Sequence, residues 1–253
     1  MVPIDLCDLL EFRVIPEEIE IVWEGLPVPL DEHNLVRRAA EAFFRRSGIK
    51  GGVSVSVNKN IPVAAGMGGG SSDAAATLLS LNRLWSRPLT AVALREVALQ
   101  LGADVPFFLE PRPCIARGIG EILEPVDRWP TLWYLIVTPR FHVSTAWVYG
   151  NLKLGLTSNE YDRIKGQLRK ESLVLSQFLE NDLESVTSAK FPILDRIKRT
   201  LLDAGAEGAL MTGSGPSVFG VFGSRDQAKQ ALERILPHDL GRVCLAAPWK
   251  GNG

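Results

Sequence analysis

The run Pro62-Val63-Ala64-Ala65-Gly66-Met67-Gly68-Gly69-Gly70-Ser71-Ser72-Asp73-Ala74-Ala75-Ala76 constrains this chain more than any other segment. Four glycines in five positions let the backbone enter conformations closed to other residues and bring several N–H groups close to a ligand. Upstream, Gly52 to Val57 alternates apolar and polar residues with a period of two, the pattern of a half-buried strand. Downstream, Ala74 to Leu79 and Leu81 to Trp85 read as a long helix. A glycine loop leading into a helix gathers unpaired N–H groups at the positive end of the helix dipole, where phosphate is the natural occupant. The alternative is a turn that merely caps a helix. The run is not a Walker A loop, because no Gly-Lys-Ser/Thr follows the glycines. Nor is it a dinucleotide fingerprint, because no βαβ unit surrounds it.

A length of 253 residues suits one large domain or two small ones. With 28 Lys+Arg against 29 Asp+Glu, charge gives no reason to expect a nucleic-acid or membrane-surface partner. No apolar run approaches the ~20 residues that span a bilayer, and Met1-Val2-Pro3-Ile4-Asp5 does not read as a signal peptide. The three cysteines (Cys7, Cys114, Cys244) lack CxxC spacing, which disfavours structural zinc or a disulfide framework and fits a reducing cytoplasm. The three histidines are scattered, so a histidine-rich metal site is not expected. A cytoplasmic protein acting on a small molecule is the class that remains.

Ile4 to Arg13 and Ile19 to Glu24 read as extended, and Asn34 to Arg46 as an amphipathic helix. Thr90 is placed to cap a helix running to Leu101, and Leu132 to Val137 is a buried strand. Further on come a polar helix-rich stretch from Tyr161 to Glu184 and an amphipathic helix from Ile193 to Ala204. Strands at Gly208 to Met211 and Val218 to Phe222 flank a second glycine turn. A helix from Gln227 to Ile235 and a strand from Val243 to Ala247 close the chain. Helices on one face of largely antiparallel sheets make this α+β in two lobes, divided near residues 125–135.

Pro62 to Ala76 resembles the second motif of the GHMP kinases, the superfamily of galactokinase, homoserine kinase and mevalonate kinase. The nearest branch is the one acting on 4-diphosphocytidyl-2-C-methyl-D-erythritol in non-mevalonate isoprenoid synthesis. Leu81-Asn82-Arg83-Leu84-Trp85, Leu101-Gly102-Ala103-Asp104-Val105-Pro106-Phe107-Phe108 and Gly118 to Leu123 select that branch, and Met211 to Phe219 resembles the third motif. The resemblance runs from about Ile4 to Val221, with Met67 where the family usually has Leu. It implies a two-lobed GHMP fold: a ribosomal-S5-like ATP-binding domain over residues 1–128 and a ferredoxin-like substrate domain over 129–253.

The resemblance further implies ATP and Mg²⁺ as cofactors, and as partner a cytidine diphosphate conjugate of methylerythritol, in a monomer or homodimer. Asp104 matches the aspartate assigned as catalytic base. Pro62, Ala64 and Gly66, Met67, Gly68, Gly69, Gly70 and Ser71 would cradle the nucleotide phosphates. Ser72 would hold the phosphates or their Mg²⁺. Asn34 and Lys59 match positions near adenine and ribose; Asn34 reads equally well as a helix N-cap, and Lys59 as a solvated strand end. Thr145 and Tyr149 match substrate positions, Tyr149 by stacking on cytosine or else as a core aromatic. Gly213, Ser214 and Gly215 complete the site floor or simply form a tight turn between strands. Glu121 reads as a strand-end carboxylate rather than a magnesium ligand.

Two family segments, Pro-Ala-Lys-x-Asn and Asp-Gly-Tyr-His, do not occur in this sequence. Either Met1 is an internal methionine of a longer protein, or the shorter chain is real. A chain without that lysine is expected to keep nucleotide affinity while losing most turnover. Another small-molecule GHMP kinase, or a catalytically impaired nucleotide-binding relative, is the alternative reading.

Overall fold

The computed structural model describes residues 1–27, 34–152, 165, 166, 168, 179–249 and 251. They form two compact units, and the chain does not divide at one point: the first holds Met1–Val63, Gly68–Val126 and Trp249–Gly253, the second Ala64–Met67 and Asp127–Pro248.

The first unit begins with β1 (Leu9–Ile15) and β2 (Ile19–Gly25), followed by α1 (Leu35–Ser47) and β3 (Gly52–Lys59). β3 is central, antiparallel to β1 and parallel to β2. Its period of two buries Val53, Val55 and Val57, and Lys59 continues the same register. α1 is capped by Asn34, whose Oδ1 accepts from the N–H groups of Val36 and Arg37, and ends at left-handed Gly48. It packs Val36, Ala39, Ala40 and Phe43 against Ala74, Ala75, Leu78 and Leu81 of α2 (Gly69–Leu84). α3 (Ala91–Leu101), capped by Thr90, adds Leu94, Val97 and Ala98. A 3-10 turn (Val105–Leu109) and a hairpin of β4 (Cys114–Arg117) and β5 (Ile122–Pro125) complete the unit. The hairpin was not expected: its strands are four residues each and lack a clear alternation of burial. The extended reading from Ile4 shortens to a strand beginning at Leu9.

The second unit is a four-stranded antiparallel sheet in the order β7-β8-β6-β9. Its strands are β6 (Trp133–Thr138), β7 (Gly208–Met211), β8 (Val218–Phe222) and β9 (Arg242–Ala246). Its helices are α4 (Thr145–Asn151), α5 (Asp182–Lys190), α6 (Ile193–Asp203) and α7 (Arg225–Ile235). Leu194, Ile197 and Leu201 of α6 and Ala228, Ala231 and Ile235 of α7 bury against Leu135, Val137, Val218 and Phe222. Most of the helix-rich stretch expected from Tyr161 lies outside the described residues, and its described end is α5. The last helix begins two residues earlier than expected because Ser224 caps it by accepting from the N–H of Gln227.

Candidate active site

α2 starts inside the glycine run, not after it. Gly68 is its N-cap, left-handed at φ 68°, and no side chain caps this end. The first N–H groups of α2 are therefore presented without a side-chain acceptor, the arrangement that attracts an anion. Ser71 and Ser72 are half-buried in this first turn, Gly70 is exposed, and Pro62 and Met67 are half-buried ahead of it. Ala64 is exposed in a left-handed conformation, φ 51°.

α2 packs against the 3-10 turn that Asp104 begins. A Cβ on Gly68 would lie 3.0 Å from the ring of Phe108 in that turn, so loop and turn share a border. Asp104 is solvent-exposed by surface area, yet the protein around its carboxyl removes enough water to raise its pKa above the ordinary aspartate value. An ionised carboxylate of raised pKa is a better proton acceptor than an ordinary one.

Lys59 is not a solvated strand end: its ammonium is buried between two aspartates. The residue is 3% exposed, with Nζ 2.5 Å from Asp8 Oδ2 and 2.6 Å from Asp73 Oδ2. Asp8 in turn accepts from the N–H groups of Asn60 (2.6 Å) and Ile61 (2.8 Å) through Oδ1. Burial pushes the Asp73 carboxyl up to about 7; the Lys59 charge opposes that rise and the Asp8 charge adds to it. Of the two readings open for Asn34, the structure realises the N-cap. Asp8 and Asp73 were missed as a pair, although the inward register of Lys59 on β3 already required buried counter-charges.

In the second unit, Ala64–Met67 meet the turn between β7 and β8. Thr212 Oγ1 donates to Gly66 O at 2.9 Å. Gly66 has φ 74°, and a Cβ there would fall 2.0 Å from Thr212 O, so glycine is required on both counts. Bonds from Thr212 N to Ser217 O and from Gly215 N to Thr212 O close the turn, so Gly213-Ser214-Gly215 is a tight turn as well as a packing partner of Gly66. Ser214 Oγ lies 2.8 Å from Thr145 Oγ1, which brings α4 to the same turn. Tyr149, on α4, is 61% exposed, which removes the core-aromatic reading and leaves its ring face available. Asn181, unforeseen in sequence, donates through Nδ2 to both Met211 O (2.7 Å) and Gly213 O (2.8 Å). Glu121 folds back to accept from Ile119 N at 2.7 Å, in keeping with its reading as a local structural carboxylate.

An apolar loop feeding an uncapped helix start, with a carboxylate on the adjoining turn, is suited to phosphoryl transfer. The model for the GHMP kinases N terminal domain matches residues 34–110, and that for GHMP kinases C terminal matches 165–238. The chain belongs to the GHMP kinase family. The 4-diphosphocytidyl-2-C-methyl-D-erythritol kinase of Syntrophotalea carbinolica is 44% identical over 91% of this chain and 82% of its own length. That of Geobacter sulfurreducens is 46% identical over 92% and 83%. A crystal structure of 4-(cytidine 5'-diphospho)-2C-methyl-D-erythritol kinase matches with a TM-score of 0.80 and 32% identity, over 99% of this chain and 89% of that one. Homoserine kinase from Cytophaga hutchinsonii, 20% identical, reaches the same TM-score and shares the fold. Among the described residues no helix is long and apolar enough to cross a membrane.

Proposed function

We propose that this chain transfers the γ-phosphoryl group of ATP to a hydroxyl of 4-diphosphocytidyl-2-C-methyl-D-erythritol. The observation that carries the reading is the start of α2: an uncapped helix terminus inside the glycine run, with the turn of Asp104 packed against it. Identity above 40% to kinases named for that substrate supports the choice of acceptor.

In this reading the N–H groups of the loop bind the nucleotide phosphates. Asp104 takes the proton of the acceptor hydroxyl as its oxygen bonds to the γ-phosphorus and the bond to ADP breaks. Mg²⁺ supplies charge neutralisation on the phosphates when bound. Ser72, half-buried in the first turn of α2, is the residue that would hold a nucleotide-borne Mg²⁺ through its hydroxyl. Tyr149 offers an exposed ring for the cytosine, and Thr145, Gly213, Ser214 and Gly215 would contact substrate as the resemblance implies. The protein is cytoplasmic, as a monomer or homodimer.

Incubation with ATP, Mg²⁺ and one acceptor at a time, followed by ³¹P NMR and ADP release, tests this. Transfer to the diphosphocytidyl acceptor should exceed transfer to homoserine or mevalonate by about 100-fold or more, because a site built for polar groups rejects acceptors that leave them unpaired. Faster transfer to either of the others overturns the assignment.

A further inference from the structure

We propose that Lys59 is a positioning residue for the phosphate loop, joining Asp8 ahead of β1 to Asp73 one turn into α2 and thereby fixing how α2 presents its first N–H groups. This rests on the reading of that loop as the nucleotide site.

The argument starts from cost. Taking an ammonium and two carboxylates out of water is unfavourable, and apolar residues of similar volume would often serve stability equally well. Here all three side chains are at most 4% exposed. What the charges supply instead is direction. The Lys59 ammonium bonds one oxygen of each aspartate, and the second oxygen of Asp8 holds the N–H groups of Asn60 and Ile61, where the chain leaves β3 for the glycine run. One cluster thus ties together the lead-in to β1, the exit from β3 and the first turns of α2. It also touches the loop: a Cβ on Gly69 would stand 3.2 Å from Lys59 Nζ and 2.8 Å from Ile61 Cγ2. The glycine at 69 lets the helix start settle directly onto the ammonium. Without the link to Asp73, the start of α2 loses its only described ionic anchor, and a displacement near 1 Å at a reacting group costs on the order of 100-fold.

The test uses Asp73→Ala, which cuts the link to α2 while leaving Lys59 and Asp8 as a matched pair, together with Asp73→Asn and Lys59→Met. Calorimetric titration with a non-hydrolysable ATP analogue and Mg²⁺ is read beside steady-state kinetics, at a temperature where each variant is folded. Asp73→Ala should weaken analogue binding about tenfold and raise KM for ATP in step, with KM for the acceptor within about twofold. Asp73→Asn, whose amide oxygen still accepts from Lys59, should recover most of that loss. Lys59→Met should weaken binding at least as much as Asp73→Ala; should it fail to fold, Asp73→Ala decides. A folded Asp73→Ala protein with wild-type analogue affinity and altered thermal stability alone would overturn the proposal. Wild-type protein that binds the analogue but phosphorylates no acceptor would defeat the kinase reading and leave the binding test decisive. Wild-type protein that binds no analogue would overturn both.

Discussion

Beneath Gly68–Ser72 the first unit places an ammonium between two carboxylates, whereas the second unit holds Thr212–Gly215 chiefly with neutral hydrogen bonds. Asn181 reaches Met211 O and Gly213 O, and the Thr187 hydroxyl reaches Ser214 O at 3.3 Å. One carboxylate joins this second brace, Glu184, which accepts from Met211 N and pairs with Lys198. The two supports differ in what happens when a part is removed. A charged cluster stripped of its cation leaves two buried carboxyls facing each other, a cost relieved only by taking up a proton. A neutral brace stripped of its amide leaves carbonyl groups without a donor, a smaller cost than an unbalanced buried charge. The start of α2 therefore depends on ionic partners, the turn after β7 chiefly on neutral ones.

The largest expected effect touches neither support. Asp104→Asn should lower phosphoryl transfer by on the order of 10²–10⁴-fold with ATP affinity nearly intact, the usual loss for a general base. Because desolvation raises the Asp104 pKa, and a base must be ionised to act, kcat/KM should fall as pH falls through a value above the ordinary ~3.9. The acid limb of the pH–rate profile locates that value, and wild-type turnover in a folded Asn variant would remove Asp104 from the chemistry.

Next in size is the charged support itself. Lys59→Met should destabilise the fold by about 3–5 kcal/mol, the typical result of breaking a buried ionic group by deleting one partner. Asn181→Ala, its counterpart in the second unit, should cost only about 1–3 kcal/mol. Urea denaturation of the two variants beside wild type makes the comparison directly. Equal losses would mean that the two turns are held in the same way.

Much of this was legible in the sequence, and the failures have definite causes. Alternation of Val53, Val55 and Val57 located β3, and helical spacing located α1 and α6, because burial on one face imposes those periods. The glycine run was recognisable as a helix-leading loop, but α2 begins within it at Gly69. Glycine carries poor helix propensity, and here packing of Leu78 and Leu81 overrides it. The β4–β5 hairpin escaped notice because four-residue strands carry too little pattern. The cap at Asn34 is one of the two readings its sequence position offers, since an Asn ahead of an apolar-periodic run is a usual helix start. The burial of Lys59 was not legible because a lysine at a strand end is usually solvated, and its partners sit 51 residues upstream and 14 downstream. Asn181 could not be found at all, since only the fold brings α5 to the turn after β7. A single boundary near residue 128 likewise could not reveal that Ala64–Met67 belong with the second unit.

The central claim is that the loop entering α2 is a phosphate cradle, and Gly68→Val tests it most directly. Gly68 is left-handed at φ 68°, a conformation that a β-branched residue resists, and its Cβ would press against Phe108 at 3.0 Å. Calorimetric titration of the folded variant with an ATP analogue and Mg²⁺ should give an affinity at least about tenfold below wild type, since the first N–H groups of α2 can no longer converge on phosphate. Unchanged affinity in a folded Gly68→Val protein would mean that the glycine run is only a turn and that the nucleotide binds elsewhere.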